Sequence, residues 1–163
     1  NRFDLSLVAR RWRDFAFAAV TKVKFDPYSY QAMAGIVNYY NNEHWSWIFI
    51  TRDDKDNRVI EAAECDNGKY TSVLKEDAVI IPEGTEWVWF KTVVDHLDYW
   101  YEYSFDGETW HRIPVKLDAM VLSDDYVMSH YGGFFTGAFV GLAAVDYSGY
   151  GSEAEFGFFE YCV

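Results

Sequence analysis

Cysteine, proline and basic side chains are all scarce in this 163-residue sequence, and each scarcity removes a class of protein. Two cysteines, Cys65 and Cys162, cannot build a disulfide framework, and no Cys/His cluster has zinc-like spacing. They read as two free, largely buried thiols, with a Cys65–Cys162 bridge as the alternative. Free thiols favour a reducing, cytoplasmic compartment over secretion. Three prolines and 11 glycines leave no linker or low-complexity tract, so residues 1–163 read as one domain. Only 14 Lys and Arg oppose 26 Asp and Glu, a net charge of -12. Such a surface repels nucleic acid and anionic membranes and favours a neutral or cationic partner. No apolar run approaches the roughly 18 residues that span a bilayer. The opening Asn1-Arg2-Phe3-Asp4 has none of the features of a signal peptide.

What the sequence has in excess is aromatic surface: seven Trp, 13 Tyr and 13 Phe. Tyr and Trp join a flat apolar face to a polar edge, which suits sandwich cores, domain interfaces and sugar rings alike. Alternation of period two recurs throughout, and no stretch holds helical periodicity over several turns. This predicts an all-β, two-sheet antiparallel sandwich. Its strands are expected at Asp14–Val23, Ala32–Tyr40, Trp45–Arg52, Arg58–Cys65, Ala138–Asp146 and Ala154–Cys162, with a hairpin over Glu86–Phe105. In that hairpin Val94 should face Tyr99, which sets Lys91 against Glu102 and Phe90 against Tyr103, both favourable pairs. Trp87, Trp89 and Trp100 then lie on its outer face. Trp47 and Phe49 alternate in the same way, and if both strands share a sheet the five aromatics line one groove or plate. A glycan platform, a domain-docking face and ordinary packing under loops all fit that pattern. Pro114 to Gly137 is a long irregular stretch, of the kind that is usually functional or interfacial.

Chemistry is sparse. A jelly-roll glycosidase needs two carboxylates flanking a cleft. Glu153 and Glu155 would share a strand face, whereas Glu61 and Glu64 would face opposite sides. Neither set has the three-acid pattern of such enzymes, so no catalytic residue is assigned and an independent glycosidase is the least favoured reading. His44, His96, His111 and His130 lie beside turns or strand ends without a Ser or Cys partner, and read as surface residues. Asp53-Asp54-Lys55-Asp56-Asn57 lacks the glycine and terminal glutamate of an EF-hand and reads as a solvated hairpin tip. No cofactor or metal site is expected, although a structural calcium elsewhere in the sandwich stays open.

Several segments, in order, carry a resemblance. They are Ser6–Arg11, Met33–Asn41, Glu64-Cys65-Asp66-Asn67-Gly68, Tyr103-Ser104-Phe105-Asp106-Gly107, Leu122–Tyr126, Gly133–Gly141 and Phe156–Tyr161. Together they resemble the C-terminal domain of family 43 glycoside hydrolases, the β-xylosidase and α-L-arabinofuranosidase group. The resemblance implies a concanavalin A-like jelly roll attached to a catalytic β-propeller, making this chain a non-catalytic module of a longer xylan-degrading enzyme. It also implies a loop reaching the propeller's pocket with one phenylalanine, which Phe134 or Phe135 would supply. Such domains are also classed as carbohydrate-binding module family 91, so xylan or xylo-oligosaccharide is the implied ligand, and an autonomous xylan-binding lectin-like module is the alternative. Two departures stand out. Family members usually carry a further strand before Ser6–Arg11, so an edge strand is expected to be missing here or supplied by another chain. Ala154-Glu155-Phe156-Gly157 also replaces the family's usual Ala-Asp-Phe-Asp.

Overall fold

Alternating apolar residues bury every second side chain of a strand, and here they do so on two facing sheets. The computed structural model describes residues 4–124, 126–127 and 137–163. The strands are β1 (Asp4–Arg11), β2 (Ala16–Lys24), β3 (Ala32–Asn41), β4 (His44–Arg52), β5 (Arg58–Asp66), β6 (Lys69–Ser72), β7 (Val79–Ile80), β8 (Val88–Asp95), β9 (Asp98–Ser104), β10 (His111–Arg112), β11 (Leu117–Asp118), β12 (Phe139–Asp146) and β13 (Glu155–Cys162). One sheet runs β1-β12-β3-β4-β5-β6, with β7 also on β5; the other runs β10-β9-β8-β2-β13, with β11 also on β9. All pairings are antiparallel. The expected sandwich is present.

The core lies between the sheets. Phe17, Ala19 and Val23 of β2 and Val88, Phe90 and Val94 of β8 meet Ile36, Ile48, Ile50 and Ile60 from the opposite sheet. One polar cluster is embedded among them. The Asn38 amide donates to Thr92 Oγ1 at 3.0 Å and to the Tyr101 hydroxyl at 2.9 Å. Ser46 Oγ sits 2.6 Å from the Tyr99 hydroxyl and 2.7 Å from that of Tyr101. Asn38 and Ser46 belong to one sheet, and Thr92, Tyr99 and Tyr101 to the other, so these bonds lock the sheets in register. Burial holds both phenols well above the ordinary tyrosine range.

The β8–β9 hairpin has the expected register: Val94 faces Tyr99, Lys91 faces Glu102 and Phe90 faces Tyr103. Two expectations change, those for Cys162 and His44, and the edge strands add detail. β1 is a full strand, paired along its length with β12 at the edge of its sheet. In the other sheet the last strand among the described residues is β13, whose inward Phe156, Phe159 and Tyr161 are only half-buried. The departure at Gly157 coincides with a register shift against β2, an irregularity that a glycine tolerates. Cys65 is buried and Cys162, near the end of β13, is exposed, both free. His44 is not a surface residue. Its ring is fully buried between those of Tyr40 and Tyr126, with Nδ1 3.0 Å from Asn41 Oδ1.

In the stretch from Pro114 the described residues form β11 and a short 3-10 helix at Ala119–Leu122. Asp124 follows as a tether. Its Oδ1 accepts from the Tyr40 hydroxyl at 2.8 Å and from the Gly137 amide at 3.2 Å. Gly137 has φ +66°, and a Cβ there would lie 3.0 Å from the Arg11 guanidinium. One carboxylate oxygen thus joins β3 to both sides of residues 125–136.

Candidate functional site: the two outer faces

The five aromatic residues do not form one plate. Trp47 and Phe49 lie on β4, in one sheet, while Trp89 and Trp100 lie on β8 and β9, in the other, with Trp87 just before β8. Because the sheets meet through their inner faces, the two groups point away from each other. Alternation fixes the side of a strand on which a residue sits, but not the sheet that the strand joins.

On the β8–β9 side the indoles are already engaged. Lys22 Nζ lies 4.4 Å from the centre of the Trp87 ring and 5.7 Å from that of Trp89. Lys91 sits 3.8 Å over Trp110, and the Arg112 guanidinium 4.0 Å over Trp100. The Trp100 indole N–H donates to Glu102 at 3.0 Å, and the turn at Gly107 packs against Trp89. A ring covered by a cation is stabilised by its quadrupole, and that face is then closed to a sugar.

The outer face of the other sheet is different. Here Val37, Trp47, Ala143 and Val145 floor a hollow of about 170 Å³ across β1, β12, β3 and β4. Its walls are Leu5, Leu7, Tyr39, Trp45 and Tyr147. Trp47 is only 7% exposed and Phe49 1%, although no layer of secondary structure covers this face among the described residues; neighbouring side chains bury them. Two polar groups of the hollow bond to Asn42. The Tyr39 hydroxyl donates to Asn42 Oδ1 at 2.6 Å, and the Trp45 indole donates to the Asn42 carbonyl at 3.2 Å. Trp45, Tyr39 and Tyr147 were not among the expected site residues. The signal for Trp45 was present, because it stands two residues before Trp47 and therefore on the same face.

The four acids singled out in the sequence fall in different places. Glu61 lies on the outer face with Ala63, and Glu64 on the inner face with Ala62, as their spacing requires. Burial raises both carboxyls, with Asp53 adding to Glu61 and with Asp66 and Asp118 adding to Glu64. Glu153 precedes β13 and Glu155 opens it, in a groove shared with Asp26, Arg58 and the 2.9 Å Lys24–Glu86 ion pair. Asp53 Oδ1 accepts from the amides of Lys55 and Asn57, closing a hairpin tip. Among the described residues no group of three or more His, Cys, Asp or Glu is placed to hold a metal, and no helix is long and apolar enough to cross a membrane. Phe134 and Phe135 lie outside the described residues.

The structure defines a two-sheet antiparallel sandwich with one outer aromatic face capped by cations and one left uncapped. Residues 1–162 match the model of the β-xylosidase C-terminal concanavalin A-like domain, and the chain belongs to that family. Over 161 residues it is 46% identical to a protein of Escherichia coli (strain K12) and 41% identical to the beta-xylosidase of Bacillus subtilis (strain 168). Each alignment covers 99% of this chain and 30% of the relative, so the chain spans about a third of the curated relatives it matches. Among solved structures, the xylan beta-1,4-xylosidase of Bacillus halodurans C-125 superposes with a TM-score of 0.91 at 29% identity, covering 98% of this chain and 30% of that one.

Proposed function

We propose that this chain works as the accessory domain of a β-xylosidase-type glycoside hydrolase, joined to a catalytic β-propeller whose pocket mouth it shapes. The observation that carries this is the extent of the match: it runs almost from end to end of this chain, yet stops at 30% of relatives named for xylosidase activity. Xylan or xylo-oligosaccharide is then the substrate class of the joined domain. The contact with that pocket is assigned to Phe134 or Phe135. Supporting this, Asp124 ties the chain on both sides of the stretch to β3.

In the two-domain polypeptide, Phe134→Ala or Phe135→Ala should lower kcat/KM on xylobiose, because binding contacts at the mouth position the substrate for chemistry elsewhere. Wild-type kinetics from both variants would remove the capping role.

A further inference from the structure

We infer that β1 is an interface between two copies of this chain, its free edge pairing antiparallel with the same edge of a second copy so that two sheets become one. The inference stands independently of the accessory-domain reading.

A sheet edge presents unpaired N–H and C=O groups that another strand can take up, and folded proteins blunt such edges by shortness, bulges or charge. Among the described residues, three of the four edges here are blunted. At the far end of the sheet that holds β1 lie β6, of four residues, and β7, of two, each covering only part of β5. One end of the other sheet has β10 and β11, of two residues each. Its other end is β13, which is interrupted by the register shift at Gly157 and carries Glu155 and Glu160.

The edge at β1 has none of these devices. It runs eight residues in unbroken register with β12. Residues 5–11, Leu-Ser-Leu-Val-Ala-Arg-Arg, include no proline, lysine or acidic residue. Leu5, Leu7 and Val8 are 62%, 39% and 74% exposed, and water against such a surface is a standing cost that an apolar partner removes. In a chain of net charge -12, an edge without carboxylates is also where two copies repel each other least.

Self-complementarity selects a second copy as the occupant. Residues opposite each other in an antiparallel pair share a face, so a two-fold axis sets odd positions of β1 against odd ones. An axis at Leu7 puts that residue against the partner's Leu7, Leu5 against the partner's Ala9, and Ser6 against the partner's Val8. The apolar stretch 5–9 is then matched wholly with itself, and the two Arg10 side chains stand at opposite ends. Leu5 and Leu7 also wall the outer hollow, so the hollows of the two copies join in one trough across the axis. An unrelated extended peptide would find the same backbone groups on β1 but not this match of side chains.

Sedimentation velocity of the 163-residue chain should show its mass doubling as concentration rises. Leu7→Lys sets two ammonium groups face to face on the axis and should move that doubling to a several-fold higher concentration, with the circular dichroism of the fold unchanged. Disulfide formation reads the register, in a Cys162→Ser background that removes the exposed native thiol. Leu7→Cys should cross-link two copies several-fold faster than Leu5→Cys, because position 5 lies opposite the partner's Ala9 and far from its own counterpart. Leu5 is the more exposed of the two, so random collision would give the reverse order. The cysteine pair decides the matter even where Leu7→Lys does not fold. A chain that stays monomeric throughout overturns the inference, as does cross-linking at Leu5→Cys as fast as at Leu7→Cys. Mass doubling that a folded Leu7→Lys leaves in place also overturns it, since the copies would then meet elsewhere.

Discussion

At Ser46 one hydroxyl serves two phenols, Tyr99 and Tyr101, in a place that water does not reach. Replacing Ser46 with alanine takes a shared partner from both, and an unsatisfied buried polar group costs about 1–3 kcal/mol. Urea denaturation of Ser46→Ala should show a loss in that range, while a loss near zero would mean that the phenols find other partners. Asp146 shows the same dependence at a loop. Its carboxylate accepts from the Ser148 hydroxyl and from the amides of Ser148 and Ser152, and the Ser148 hydroxyl contributes most to holding it well below the usual carboxylate range. A carboxyl with a depressed folded pKa adds stability above its unfolded value, about 3.9, and loses it as pH falls toward the lower folded value. Asp146→Asn should therefore melt lower than wild type at neutral pH, and the difference should shrink below about pH 4. A pH-independent difference would assign the effect to shape rather than charge.

The elements differ in how much of them the sequence displays. The β8–β9 register is legible because its evidence is local: two strands, a short loop, and side chains that match across it. Lys91 and Glu102 are indeed opposite, with Nζ to Oε1 at 4.0 Å. The sheet membership of β4 and β8 is not legible in that way. Both strands alternate, both carry tryptophans outward, and what separates them is which distant strands they pair with. β1 escaped notice as a strand because Ser6, Arg10 and Arg11 interrupt its apolar pattern, although its backbone pairs fully with β12. Gly35 shows what a sheet can require of one residue. A Cβ there would lie 1.9 Å from the Ile48 carbonyl oxygen and 2.7 Å from the Phe49 Cα, so β3 and β4 can approach this closely only at a glycine. Gly35→Ala should cost about 1–3 kcal/mol through forced backbone shifts, measurable as a lower Tm for the chain.

For the molecule as a whole, alternation of period two points to an antiparallel sandwich, and the ordered segments to its family. Composition could not divide the aromatics by task, because a tryptophan under a lysine and one flooring a hollow look identical in a sequence. The division emerges only when strands distant in sequence place Lys22 beside Trp87, or Leu7 beside Ala143. The net charge of -12 is a property of the entire surface, yet Lys22, Lys91 and Arg112 are gathered on one outer face, where they cap rings. The Asp124 tether has a consequence of another kind. One carboxylate joins β3 to the chain at residues 124 and 137, and between them Tyr126 bonds to Asp66 while Val127 packs into the core, so both flanks of the segment are held. Lengthening such a segment costs only about 0.6 kcal/mol per doubling. A change of length between Asp124 and Gly137 should therefore leave the fold that carries the tether nearly as stable as before.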